Sequence, residues 1–274
     1  MSQYLKTPLR YPGGKSRAID SILKYIPRNA KNYIFPFCGG CSIELATFNL
    51  ISKHVYAYDL FPPLVNFWQS LTKYNNKLIK VIESLYPLSK EKFYELQETS
   101  VDMDDKIMQG ACFYALNRCS FSGTTHSGGY SQEAADKRFT RHGIEMLQLF
   151  NGIDFNVELM DYKESIEKHT DSWGYYDPPY LIGSNYIYGF SGHLHKQFSH
   201  TDFHNLISNK EHWLLSYNDC TEIRELYKDH KIITPSWLYG MGEEKESKEV
   251  LIFSKDIPKD VSKQRVSYQQ RGLY

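Results

Sequence analysis

The feature that most limits what this chain can fold into is residues 66–155, which read as helices with no strand, between two stretches where strands alternate with helices. Upstream, Ala18, Ile19, Ile22, Leu23 and Ile26 recur at helical spacing until Pro27 stops the pattern. Residues 33–35 and 55–58 then read as short buried strands, joined by a glycine loop and a helix over 42–51, which makes a βαβ unit. Downstream, strands are expected at 157–160, 175–177, 213–217, 232–234 and 250–253. Within the helical block, the Gly, Ser and Thr of residues 120–136 predict a long loop. One α/β domain formed by 1–65 and 156–257, with a helical insertion over 66–155, satisfies this order. Residues 258–274 form a polar basic tail with Lys259, Lys263, Arg265 and Arg271.

At 274 residues, 41% hydrophobic and 23% charged, the chain can bury a substantial core. It has no apolar run of about 18 residues, and no apolar stretch near Met1 to act as a secretory signal. The five scattered cysteines do not form a disulfide framework. These points predict a cytoplasmic location and no membrane partner. Net charge is zero, yet the first 31 residues carry Lys6, Arg10, Lys15, Arg17, Lys24, Arg28 and Lys31 against Asp20 alone. The balance therefore conceals a locally positive end, suited to a polyanion.

The most specific motif is Asp177-Pro178-Pro179-Tyr180, where an expected buried strand runs into a loop. Strand ends are where α/β sheets hold ligands. A carboxylate beside a proline-fixed carbonyl supplies two aligned acceptors for an amino group whose lone pair is delocalised into a ring. Drawing on both amino hydrogens returns density to the nitrogen. Tyr180 offers a ring on which an extruded base can stack. Asp177, Pro178, Pro179 and Tyr180 are thus the candidate catalytic residues.

Together with Arg10-Tyr11-Pro12-Gly13-Gly14-Lys15 and Phe35-Pro36-Phe37-Cys38-Gly39-Gly40, in the same order along the chain, this motif resembles the Dam family, the class D12 (alpha-group) DNA adenine methyltransferases. The resemblance spans nearly the whole chain. It implies a Rossmann-like α/β fold with a mixed seven-stranded sheet, a helical target-recognition insertion, S-adenosylmethionine as cofactor, double-stranded DNA as partner, base flipping, and a possible restriction-modification setting. It places Tyr11 and Lys15 at the cofactor and target site, and Phe37 and Gly39 near the methionine part. Asp59 would hold the ribose hydroxyls and Asp161 and Tyr162 would flank the cofactor adenine, with Asp177 also at the cofactor. Glycine fits close backbone approach after the first strand, and Asp59 ends the second. In the insertion, the resemblance gives Arg118 a phosphate, Phe121 the role of a wedge in the base stack and Ser122 the orphaned base. Arg10 would reach a base edge, and Lys137, Arg138 and Arg141 extend the basic surface.

Cys41 stands where the family usually has a further glycine or another small residue. Cys38 and Cys41 imitate a metal or redox pair, but no second pair follows at metal spacing. His193, His195, His200 and His204 lack an acidic ligand pattern, so no metal is expected. Gly39-Gly40-Cys41 falls short of the dinucleotide fingerprint, which argues against an oxidoreductase. Amino methylation of cytosine or RNA, or DNA binding without catalysis, remain the alternatives. No obligatory protein partner is evident from the sequence.

Overall fold

The computed structural model describes residues 5–181, 198–235, 238–239, 245–246 and 249–257. His193, His195 and the basic tail lie outside them. The sheet runs β3-β2-β1-β4-β5-β9-β6, from β1 (Tyr33–Phe35), β2 (Val55–Asp59), β3 (Val157–Leu159), β4 (Trp173–Tyr176), β5 (Trp213–Asn218), β6 (Lys231–Ile233) and β9 (Glu249–Phe253). Strands β1 to β5 pair in parallel, whereas β9 is antiparallel to both β5 and β6. The expected mixed seven-stranded sheet is present. A short antiparallel pair, β7 (Leu238–Tyr239) with β8 (Lys245–Glu246), was not foreseen.

Alternation along the strands buries both faces. Tyr33, Phe35, Tyr175, Leu214, Leu251 and Phe253 enter one apolar cluster. Ile34, Tyr176, Trp213, Leu215, Val250 and Ile252 enter the other. A period of two in strands that are apolar throughout is what a covered parallel sheet requires. Each large side chain removed from water contributes about 1.5–3 kcal/mol, and Trp68 and Trp213 are among the largest fully buried ones.

After α1 (Ile19–Leu23) and α2 (Ser42–Leu50), the described chain between β2 and β3 is helical, with α3 (Pro62–Lys73), α4 (Asn75–Ser84), α5 (Lys90–Thr99), α6 (Lys106–Cys119), α7 (Gln132–Arg138) and α8 (Arg141–Glu145). Helix α3 crosses the expected boundary at residue 66, packs its Leu64, Phe67, Trp68 and Leu71 into the sheet's cluster, and donates from Trp68 Nε1 to the Gly39 carbonyl at 3.2 Å. The start of the helical block therefore supports the loop after β1. Residues 120–136 are not one open loop. Two 3-10 turns, Phe121–Gly123 and Thr125–Ser127, precede α7, which starts where Ser131 Oγ accepts from the Ala134 N–H. The good helix formers Gln132 to Arg138 and the Glu133–Lys137 pair one turn apart outweigh the loop-like composition upstream.

Strand order reverses between β1 and β4, because β1 leads outward to β2 and β3 while β4 leads to β5. The ends of β1 and β4 flank this switch point, the usual ligand crevice of an open α/β sheet.

Candidate active site

Three segments distant in sequence meet at that crevice around a cavity of about 260 Å³. The loop after β1 supplies Phe37 and Gly39, the amino-terminal segment supplies Tyr11 and Lys15, and the loop after β4 supplies Asp177. Asp59, Asp161 and Tyr162 complete the wall. All eight residues expected at the cofactor thus line one space.

Gly39 has φ +43°, and a Cβ there would lie 2.8 Å from the Tyr11 ring. Any side chain would displace Tyr11, so glycine follows from the packing. Cys41, with φ 53°, is a left-handed residue that departs from the glycine-like preference of that conformation. Its side chain is fully buried, and burial pushes its thiol up to about 12, while Cys38 is raised well above its ordinary value by the same cause. Among the described residues no group of three His, Cys, Asp or Glu side chains is placed to hold a metal.

Asp177 is held from two sides. Lys15 Nζ approaches Oδ2 at 2.8 Å and also donates to the Gly13 carbonyl at 2.8 Å. Ser216 Oγ donates to Oδ1 at 2.6 Å and lies 2.9 Å from the Tyr175 hydroxyl. Each carboxylate oxygen retains a second acceptor direction. Lys15, only 3% exposed, lies 4.9 Å from the centre of the Tyr180 ring and 3.7 Å from Glu249 Oε1, to which the Tyr180 hydroxyl donates at 2.8 Å. Asn218 receives the Leu181 N–H and donates to its carbonyl, clasping the loop just past Tyr180. The Asp-Pro-Pro-Tyr turn is therefore fixed by side chains of β5 and β9.

Asp59 accepts from the Gly39 N–H at 2.9 Å and from the Phe61 N–H at 3.0 Å, while burial raises its carboxyl above the ordinary value. Asp161 caps the helix Tyr162–Lys168 by accepting from the Lys163 N–H. Phe37 stacks on Tyr162 with ring centres 5.4 Å apart and meets Phe198 edge-on, giving the cavity an apolar aromatic wall. Burial pushes the Tyr162 hydroxyl up to about 12.

A second set of expected residues gathers beside this crevice. Phe121 is 69% exposed, on a turn whose closure is internal: its N–H donates to the Gly129 carbonyl, and Asn117 and Arg138 bond the carbonyls of Gly123 and Ser120. Ser122 adopts φ 54° within the turn. Arg118 is partly engaged, with Nε on the Arg138 carbonyl and Nη1 on the Pro8 carbonyl. Burial and then its mutual repulsion with Arg10 and Arg118 push the Arg138 guanidinium down to about 10. Lys137 pairs with Glu133 and Arg141 lies over the Tyr86 ring, farther along the same block.

Sequence reasoning missed Glu44, Glu249 and Phe198, and gave no role to Ser216, which sits on the strand expected at 213–217. Of the histidines, His200 bonds the Tyr217 hydroxyl and His204 packs on the Tyr227 ring.

Residues 11–241 match the family described as D12 class N6 adenine-specific DNA methyltransferase. The chain is also similar to Type II methyltransferase M.CviBI of Paramecium bursaria Chlorella virus NC1A, with 23% identity over 234 residues, 81% of this chain and 86% of that protein.

Proposed function

The chain belongs to the D12 class N6 adenine-specific DNA methyltransferases, and from that premise we propose that S-adenosylmethionine is its methyl donor and that the crevice between β1 and β4 is where donor and target adenine meet. The observation that carries this reading is the single cavity joining Tyr11, Lys15, Phe37, Gly39, Asp59, Asp161, Tyr162 and Asp177. Its donor set fits such a cofactor. The aromatic wall suits a purine at Tyr162, with Phe37, expected nearer the methionine part, stacked on that ring, and the unused lone pairs of Asp59 suit ribose hydroxyls. When bound, the cofactor supplies an electrophilic sulfonium methyl.

The chain's own residues prepare the acceptor. Asp177, held by Lys15 and Ser216, presents a fixed carboxylate, and the Pro178 carbonyl provides the second acceptor for the adenine amino hydrogens. Rigidity matters because the acceptors must be aligned before the reaction begins. Pro179 stiffens the turn, and Tyr180 offers a stacking face to a flipped base.

DNA approaches over the helical block, residues 66–155, which serves as the target-recognition unit while 1–65 and 156–257 form the catalytic unit. Phe121 wedges into the stack, with Ser122 beside the orphaned base. Arg10, Arg118, Arg138, Lys137 and Arg141 supply the positive surface. No helix among the described residues is long and apolar enough to cross a membrane.

The test is a calorimetric titration of the protein with S-adenosylmethionine, followed by transfer of a labelled methyl group to duplex DNA. Saturable one-to-one binding and label on adenine N6 are expected. Transfer that is independent of S-adenosylmethionine would overturn the donor assignment.

A further inference from the structure

Glu44 is 4% exposed, lies in the first turn of the helix Ser42–Leu50, and lines the cavity. No described side chain donates a hydrogen bond to it. A carboxyl at a helix start is ordinarily a solvated partner for the helix dipole, which requires no burial. Burying one against a ligand space costs free energy unless something there compensates.

The charges around it show what is missing. Asp177 after β4 and Asp59 at the end of β2 both act on Glu44 with like charge, and the thiols of Cys38 and Cys41 flank it from the loop after β1. The cavity's cation, Lys15, sits 2.8 Å from Asp177. Among the described residues, four acids, Glu44, Asp59, Asp161 and Asp177, thus face a space with one lysine in its lining. Desolvation, the largest cause, and those two aspartates push the Glu44 carboxyl up to about 8, against the downward pull of the N–H groups of Glu44 and Ile43. Without ligand, Glu44 is mostly protonated at neutral pH.

We propose that Glu44 is a donor-binding residue that receives the ammonium of the methionine part of S-adenosylmethionine, losing its own proton to solvent as the ligand enters. This rests on the donor reading above. The balance is simple: the cation arrives protonated, the carboxylic acid becomes carboxylate, and one proton leaves for the buffer. Affinity for the donor then rises with pH up to about 8, because the ionised form need not be created by binding.

Calorimetry in buffers of differing ionisation enthalpy counts that proton. Wild-type protein should release close to one proton per S-adenosylmethionine bound near pH 6.5, and its Kd should tighten by about tenfold per pH unit below 8 and level off above. S-adenosylhomocysteine, which keeps the ammonium and lacks the sulfonium charge, should release the same proton. 5′-Methylthioadenosine, which lacks the amino-acid part, should release none. Glu44→Gln should abolish the release, weaken S-adenosylmethionine binding at pH 8.5 by tenfold or more, and leave 5′-methylthioadenosine binding unchanged. Unchanged proton release and affinity in Glu44→Gln would overturn the assignment alone. Absence of S-adenosylmethionine binding by wild type would overturn the donor reading as well. If Glu44→Gln fails to bind 5′-methylthioadenosine through misfolding, the wild-type count decides, and no release with S-adenosylmethionine near pH 6.5 overturns the proposal.

Discussion

Asn117 and Arg10 clasp each other through the backbone: Asn117 Oδ1 accepts the Arg10 N–H at 3.1 Å, and Asn117 Nδ2 donates to the Arg10 carbonyl at 2.8 Å. The same amide nitrogen reaches the Gly123 carbonyl at 3.1 Å. Gly123 has φ +76°, and a Cβ on it would lie 1.9 Å from the Arg10 carbonyl oxygen. One buried side chain on α6 thereby sets both the amino-terminal motif and the Phe121 turn, which joins the cavity to the helical block. The turn that we propose meets DNA is thus tied directly to the motif that lines the cavity.

Asn117→Ala should expose this dependence. Three hydrogen bonds vanish, one buried and two partly buried, and the Arg10 and Gly123 backbone groups lose partners, a loss of about 2–3 kcal/mol. Chemical denaturation should show that decrease, and DNA affinity should fall more than donor affinity. Equal loss of both affinities in the folded variant would mean that the clasp serves stability alone.

Ser216→Ala removes the hydroxyl that donates to Asp177 Oδ1 at 2.6 Å. Lys15 still holds the other oxygen, so the carboxylate should remain present but less well aligned. Turnover should drop about tenfold, equivalent to about 1.4 kcal/mol of lost transition-state stabilisation, with donor Kd unchanged. Asp177→Ala should abolish transfer and leave donor binding within a few-fold. Asp59→Ala should act chiefly on donor Km. Steady-state kinetics beside equilibrium titration separates the three, and matching profiles would refute the division of labour.

The parts of this site legible in sequence were those whose chemistry is local. Asp177-Pro178-Pro179-Tyr180 needs a strand end and a rigid turn, and both are written in adjacent residues. Glu44 and Glu249 were not legible, because each matters only through neighbours brought in by the sheet: β9 reaches Lys15 and Tyr180 after an antiparallel turn back beside β5. Arg118 read as a phosphate ligand, yet two of its donors meet the Pro8 and Arg138 carbonyls, contacts that only tertiary packing creates. Helix α7 was obscured by the Gly-rich run before it, although Ser131 with helix formers behind it was a usable cap signal.

Acid should destabilise the fold through the turn that holds His126. His126 is 4% exposed, contacts Ser100 Oγ at 3.0 Å, and is pushed down to about 4 by burial from its ordinary 6.5. A histidine whose folded pKa is depressed is neutral when folded and takes up a proton when unfolded. Stability is therefore fully present above about 6.5 and declines as pH falls toward 4, by at most about 3 kcal/mol. Urea denaturation at pH 7.5 and pH 5 should show the decline, and His126→Gln should flatten it. An identical pH dependence in that variant would place the acid sensitivity elsewhere.

Phe121→Ala tests the wedge without touching the core. The ring is 69% exposed, so its loss should change stability by no more than about 0.5 kcal/mol, as for other surface positions. The ring stands on a turn pinned by Asn117, Arg138 and Gly129. Insertion between base pairs would cover it and return stacking lost when the target leaves the duplex. With 2-aminopurine at the target position, wild-type protein should raise the fluorescence as the base unstacks. Phe121→Ala should lower that amplitude several-fold, while Phe121→Trp restores most of it. The salt dependence of binding should stay as in wild type, since no charge has changed. A variant with normal fluorescence and turnover would show that the ring is not the wedge, and the work of extrusion would then fall to Tyr180 and the basic surface around Arg10.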